Sequence, residues 1–181
     1  MSEDDAFFHW FAGFTDGEGS FSITRRVERG KNRYGYTCSF QLRLRADDYK
    51  ILVEVRNKVG VGNIYADRDH SRLNPTVVYA VSAREDCRVL VDIFDKYPLR
   101  AKKASDFAIW RLAVLACCSR DIHGGLKQSN PALWADVAQL AEALTTIRLY
   151  REYDEIDNVL ATTKSSRVRI SKAIPGIVLD I

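Results

Sequence analysis

Two carboxylates, Asp16 and Glu18, stand among three glycines in the run Phe11 to Phe21, FAGFTDGEGSF. Carboxylate and carbonyl oxygens are hard ligands. They suit Mg²⁺, which keeps several waters and also binds phosphate oxygens. Two such ions held close together stabilise both the attacking and the leaving oxygen in phosphodiester hydrolysis. The competing reading is an acidic turn that merely faces solvent. Other site chemistries find less support. The four cysteines, Cys38, Cys87, Cys117 and Cys118, make no CxxC pair and read as buried free thiols. The histidines His9, His70 and His123 lie far apart, and no HExxH is present.

The acidic turn needs a helix before it. Phe7, Phe11 and Phe14 recur at helical spacing and predict a helix over residues 6–16. Trp10, Gly13 and Gly17 form a second stripe, with Ala12 beside it, and small residues on a helix face admit a second backbone. A glycine inside a helix costs ~1 kcal/mol against alanine, so Gly13 implies that close approach is needed. No partner helix for that face is evident within the chain. A helix C-terminus carries about half a negative charge, so a carboxylate there calls for a nearby cation. Glu18 is that carboxylate, and the Gly17 carbonyl lies beside it.

After Gly19 the apolar period becomes two. Phe21 and Ile23 alternate with Ser22, Thr24 and Arg26. Tyr36, Cys38, Phe40, Leu42 and Leu44 then alternate with Thr37, Ser39, Gln41, Arg43 and Arg45, which argues a half-buried antiparallel strand. Asp47–Asp48 read as the cap of a helix ended by Gly60 and Gly62. Strands follow around residues 63–67 and 76–82, then a helix over 84–95 stopped by Pro98. The order αββαββα predicts an α+β fold: a four-stranded antiparallel sheet with helices on one face and the other face open. Further helices are expected at 101–119, 131–145 and near 150–160, before a basic tail over 165–181.

Charge is concentrated on the first hairpin. Between Phe21 and Arg45, seven basic residues oppose Glu28 alone, although the whole chain of 181 residues carries only +3. Such a segment is either a solvated face or a phosphate-facing patch. The outward set is Ser22, Thr24, Arg26, Thr37, Ser39, Gln41, Arg43, Arg45, Asn63, Tyr65 and Asp67, with Arg29, Lys31 and Arg33 in the turn. Arg and Gln make bidentate contacts to guanine and adenine, and Asp accepts from cytosine. A strand of ten to twelve residues spans ~33–40 Å, about one ~34 Å turn of B-DNA.

Residues 10–21, WFAGFTDGEGSF, resemble the signature of the LAGLIDADG homing endonucleases. The order hydrophobic–Ala–Gly–hydrophobic–x–Asp–Gly–acid–Gly is matched in full. The VGVG turn at Val59–Gly62 and the later YPLRAKK also follow the family order, and the likeness covers about residues 6–115. The resemblance implies a sequence-specific DNA endonuclease that hydrolyses phosphodiester bonds with Mg²⁺, or with Mn²⁺ or Ca²⁺ in the same site. It makes Glu18 the metal-binding acid, Asp16 a structural acid, and Lys103 or Lys102 the basic residue near the scissile phosphate. One motif per chain implies a homodimer paired through Trp10, Ala12, Gly13 and Gly17, on a pseudo-palindromic double-stranded DNA site. A polar residue late in the second strand of some relatives is replaced by Leu44.

The competing functions are an intron RNA maturase or DNA-binding regulator on the same scaffold, and a nucleic-acid-binding protein without metal chemistry. A retained Glu18 favours the nuclease. The whole chain reads as one domain: a core over 6–115, a helical extension over 116–164 and the tail. No run approaches the ~18 apolar residues of a membrane span, and the acidic start MSEDDAFF is unlike a leader. An intracellular setting is expected, in cytoplasm or nucleoid, with an organelle-encoded origin compatible.

Overall fold

The computed structural model describes residues 2–27, 34–66, 75–118, 131–149, 168–170 and 177–179. Helix α1 (Glu3–Glu18) is longer at both ends than its apolar stripe indicates. At its start, Asp5 N–H donates to Ser2 Oγ and the Asp5 carboxylate accepts from the Ser2 backbone. This reciprocal cap satisfies two otherwise unpaired donors. At its end, α1 passes straight into strand β1 (Gly19–Val27) without a loop.

Strand β2 (Tyr34–Arg45) pairs antiparallel with β1, bringing Phe21 opposite Phe40 and Ser22 opposite Ser39. Strands β3 (Asn63–Ala66) and β4 (Thr76–Val81) complete a sheet of order β1-β2-β4-β3, antiparallel at every joint. Register is set by burial: a slip of one residue would turn Phe21, Phe40, Leu42 and Val81, all fully buried, toward solvent.

Helices α2 (Tyr49–Val59), α3 (Arg84–Lys96) and α4 (Lys103–Cys118) join α1 in covering one face of the sheet. The core is aromatic: Phe11 stacks on Phe94, and Phe21 meets Phe40, Phe107 and Trp110 at 5.1–5.7 Å between ring centres. Burying each such side chain contributes about 1.5–3 kcal/mol.

Asp48 stands at the N-cap position of α2 as expected, but without the side-chain bond of a cap. A short 3₁₀ turn, Ala46–Asp48, precedes α2. Asp47 is instead paired with Arg45. Gly60 ends α2 in the left-handed conformation (φ +82°), and Gly62 repeats it (φ +84°). A Cβ on Gly62 would also meet Val81 and Tyr79 side chains at 2.7 and 2.8 Å. Tyr79, fully buried, donates its hydroxyl to the Val61 carbonyl and locks this turn to the sheet.

Helix α5 (Pro131–Leu149) runs past its predicted end, and its Trp134 and Val137 belong to the same core. The chain divides into two units, residues 1–146 and 147–181. In the second, β5 (Val168–Ile170) pairs antiparallel with β6 (Ile177–Leu179). This strand pair stands where a basic tail alone was expected. The expected helix near 150–160 lies outside the described residues. Among the described residues, no helix is long and apolar enough to cross a membrane.

Candidate metal site and nucleic-acid interface

The acidic turn is held in place by steric necessity. Gly19 N–H donates to the Thr15 carbonyl, and a Cβ on Gly19 would lie 2.6 Å from both Thr15 Cγ2 and Thr15 O. Only glycine lets helix and strand meet this closely, so Glu18 is fixed as the last helical residue. Its side chain is exposed. The last turn of α1 contains no basic residue, whereas Glu3, Asp4 and Asp5 crowd the first. Acids at the N-terminus complement the helix dipole, and acids at the C-terminus oppose it. Glu18 is thus a carboxylate at the negative end of a helix whose own last turn offers it no basic partner.

Asp16 has a different setting. Its Oδ2 accepts the Arg100 backbone N–H at 2.8 Å, tying the chain between α3 and α4 to the end of α1. Its Oδ1 is buried without a partner, as is the Thr15 hydroxyl. Lys103, half-buried, opens α4, and Lys102 beside it is exposed. Lys103 stands three positions after Arg100, so both lysines enter within about 11 Å of chain from the Asp16 anchor.

These residues fit a hard divalent cation in part. Glu18 has free access, the Gly17 carbonyl adjoins it, and an orphaned carboxylate oxygen lies two residues back. No group of three or more His, Cys, Asp or Glu gathers for a metal among the described residues. The donor set therefore suits an ion such as Mg²⁺, which takes most of its ligands from water, phosphate or a second chain.

Trp10, Gly13 and Gly17 all face outward, and a Cβ on either glycine would meet nothing within 4 Å. Trp10 is 40% exposed and stacked on Phe14. Ala12 departs from the expectation for this face. It is only 4% exposed and packs into the chain's own core, because its position on the helix turns it toward the sheet with Phe11.

The open face of the sheet carries the expected outward residues of β1, β2 and β3. The Ser22 and Ser39 hydroxyls bond to each other at 2.7 Å, and Thr24 lies opposite Thr37. Arg43 reaches Thr76 Oγ1 at 3.5 Å, across to β4. Arg45 makes two bonds to Asp47, at 3.0 and 3.2 Å, with both partners well exposed. Exposed pairs of this kind contribute little, so the guanidinium can exchange Asp47 for another anion at small cost. Arg26, Gln41, Asn63 and Tyr65 are exposed. Leu44 is half-buried against the core, on the opposite face. Arg29, Lys31, Arg33 and Asp67 lie outside the described residues.

Register adds Ser20, opposite Gln41, and Thr76, opposite Arg45, to this face. Ser20 has the same parity as Ser22, which was a usable signal. Thr76 had a weaker one: Val77, Tyr79 and Val81 fall on the other side of the strand, but Val78 and Ala80 make its own side apolar too.

A family model described as LAGLIDADG endonuclease matches residues 11–114. A Schizosaccharomyces pombe protein named as a probable intron-encoded endonuclease, Cox1-I1b, is 35% identical over 126 residues, 69% of this chain and 31% of its own length. A Neurospora crassa protein, probable intron-encoded endonuclease 3, is 33% identical over 108 residues, 58% of this chain and 19% of its own. The chain thus spans less than a third of these relatives. Among solved structures, the homing endonuclease I-TnaI superposes with a TM-score of 0.64 at 20% identity, covering 88% of this chain and 97% of that one. The archaeal intron-encoded homing endonuclease I-Vdi141I, in complex with DNA, gives 0.67 at 22%, covering 88% and 95%. These two likenesses show the fold. With the matched motif, the sheet order and the helix-to-strand acidic turn agreeing, the chain belongs to the LAGLIDADG endonuclease family.

Proposed function

We propose that this chain is a site-specific DNA endonuclease that hydrolyses phosphodiester bonds in double-stranded DNA with a divalent metal, Mg²⁺ in the first instance, with Mn²⁺ or Ca²⁺ taking the same site. The observation that carries the reading is Glu18, exposed at the C-terminal end of α1, whose last turn holds no basic residue. Glu18 and the Gly17 carbonyl would hold the ion, which supplies Lewis-acid stabilisation of the phosphate oxygens. Asp16 anchors the segment that leads to Lys102 and Lys103, and either lysine would place positive charge beside the scissile phosphate.

One chain carries one such motif, and hydrolysis of both strands calls for two. A second copy paired through Trp10, Gly13 and Gly17 would bring two acidic turns together on a closed two-fold axis. The open sheet face would follow the major groove. Ser22, Thr24, Arg26, Thr37, Ser39, Gln41, Arg43, Arg45, Asn63 and Tyr65 supply its donors and acceptors, with Ser20 and Thr76 added by register. Arg29, Lys31, Arg33 and Asp67 extend the set by sequence.

The test is cleavage of a duplex library containing palindromic sites, with Mg²⁺, by the wild type and Glu18→Gln. One recurring pseudo-palindromic site, cut only by the wild type while both proteins bind it, is the expected result. Wild-type cutting by Glu18→Gln would remove Glu18 from the chemistry. Binding without cutting by either protein would favour the second reading, an intron RNA maturase or DNA-binding regulator. The observation favouring that reading is Leu44, apolar and turned into the core where some relatives keep a polar group.

A further inference from the structure

The sheet is not four strands wide along its whole length. Strand β4, whose last residue is Val81, pairs with β2 from Arg45 to Phe40. Beyond that rung, Tyr34–Ser39 of β2 pair with Ser22–Val27 of β1 and with no other strand among the described residues. This two-stranded ribbon is about 20 Å long. It carries Ser22, Thr24, Arg26, Thr37 and Ser39, which the proposed function places against DNA.

An isolated two-stranded hairpin is marginal in water and needs a helix or further strands against it. The helix layer supplies that support unevenly. At the inner part of the ribbon, Cys38 is buried in one cluster with Val114 and Cys117 of α4. Further out, a cavity of ≈ 430 Å³ is bounded by the ribbon, the start of α3 and the end of α4, with Trp134 of α5 as part of its wall. The Trp134 ring is only 6% exposed and lies 6.1 Å from the Tyr36 ring, tilted by 37°. A Cβ on Gly35 would meet the same indole at 3.6–3.9 Å. Gly35 and Tyr36 have opposite parity on β2. A group that reaches both sides of a strand must pass its edge, and β1 occupies the other edge. Trp134 therefore stands where β4 has left β2. Val137, fully buried three residues on, anchors α5 to the core.

We propose that Trp134 is a positioning residue for DNA recognition: its indole fixes the outer half of the β1–β2 ribbon and so sets base preference at the outer end of each half-site. This role rests on the endonuclease reading above. In that reading the two acidic turns meet near the two-fold axis, so distance from Glu18 along β1 is distance from the centre of the DNA site. Arg26 stands eight residues from Glu18, about 26 Å of strand. A bidentate contact discriminates between bases only while its donors are held in place. A ribbon free to swing keeps its charge, and with it the attraction to phosphate, but loses that discrimination. Trp134 acts through the ribbon, with no contact of its own to DNA.

The experiment compares the wild type with Trp134→Ala and Trp134→Phe. Amide hydrogen exchange is read on the free proteins, and base preference on a duplex library varied one base pair at a time, at one salt concentration. In Trp134→Ala, amides of residues 24–27 and 34–37 should exchange about tenfold faster or more, with those of 40–44 unchanged. Preference at the outer base pairs should fall about tenfold, while inner preference and affinity for random duplex are kept. Trp134→Phe keeps a ring and should restore most of both. Trp134→Leu carries the same expectations as the alanine variant and replaces it if that variant does not fold. Faster exchange throughout the chain, unchanged exchange in the ribbon, or equal loss of preference along the whole half-site would each overturn this role. A wild type that binds no duplex would sink the endonuclease reading and this role with it. A wild type with a defined site, beside an unaltered outer preference in Trp134→Ala, would overturn this role alone.

Discussion

A single missing Cβ decides where Glu18 points. Gly19 has an ordinary φ of −71°, so its requirement is closeness and not backbone freedom. Gly19→Ala should lower stability by ~1–3 kcal/mol, the usual cost of forcing extra atoms into a packed site. Chemical denaturation would measure it, and cleavage should fall further than stability alone accounts for because Glu18 moves with the turn. Arg43 offers a test of readout at the same scale. It bridges β2 to Thr76 on β4 and faces the open side. Arg43→Ala should relax preference at one base pair in each half-site by ~1–3 kcal/mol. Equal weakening across all sequences would instead mark a phosphate contact.

At the scale of elements, α1 is anchored at both ends to the end of α3 and the segment after it. Asp16 accepts from Arg100, and at the other end Asp5 accepts from the Tyr97 hydroxyl at 2.6 Å, with Lys96 at 3.4 Å. Phe8 stacks on the Tyr97 ring and His9 meets its edge. The Tyr97 and Ser2 bonds hold the Asp5 carboxyl well below the usual carboxylate range. A depressed carboxylate stabilises the fold above its unfolded pKa, about 3.9, and that contribution fades as pH falls through the folded value. The difference in Tm between wild type and Asp5→Asn should therefore be largest near neutrality and shrink below about pH 4. A difference independent of pH would assign Asp5 a role without its charge.

At the scale of the molecule, the outward face of α1 is the feature the single chain leaves unexplained. Gly13 and Gly17 have open space where a side chain would go, so nothing among the described residues requires glycine there. On helix propensity alone Gly13→Ala should stabilise an isolated chain by ~1 kcal/mol. If the face is the contact with a second copy, Gly13→Glu should yield monomers in analytical ultracentrifugation and lose cleavage, while each monomer stays folded. An active, monodisperse dimer of Gly13→Glu would place the interface elsewhere.

The motif, the αββαββα order and the two faces of the first hairpin were legible in the sequence. Each is a local pattern: three glycines around two acids, and apolar residues at periods of 3.6 and two. The alternation over Tyr36–Arg45 named the outward residues of β2 from Thr37 onward, since a strand has only two sides. Tertiary structure decided what depends on neighbours distant in the chain. Ala12 is one residue from Gly13 yet belongs to the core, because packing against the sheet sets which side of α1 is inside. Thr76 is placed beside Arg45 on the open face by the pairing of β2 with β4. Asp16 gains its role from Arg100, eighty-four residues on. Cys38, Cys87 and the adjacent Cys117 and Cys118 border one cavity because β2, α3 and α4 close around it.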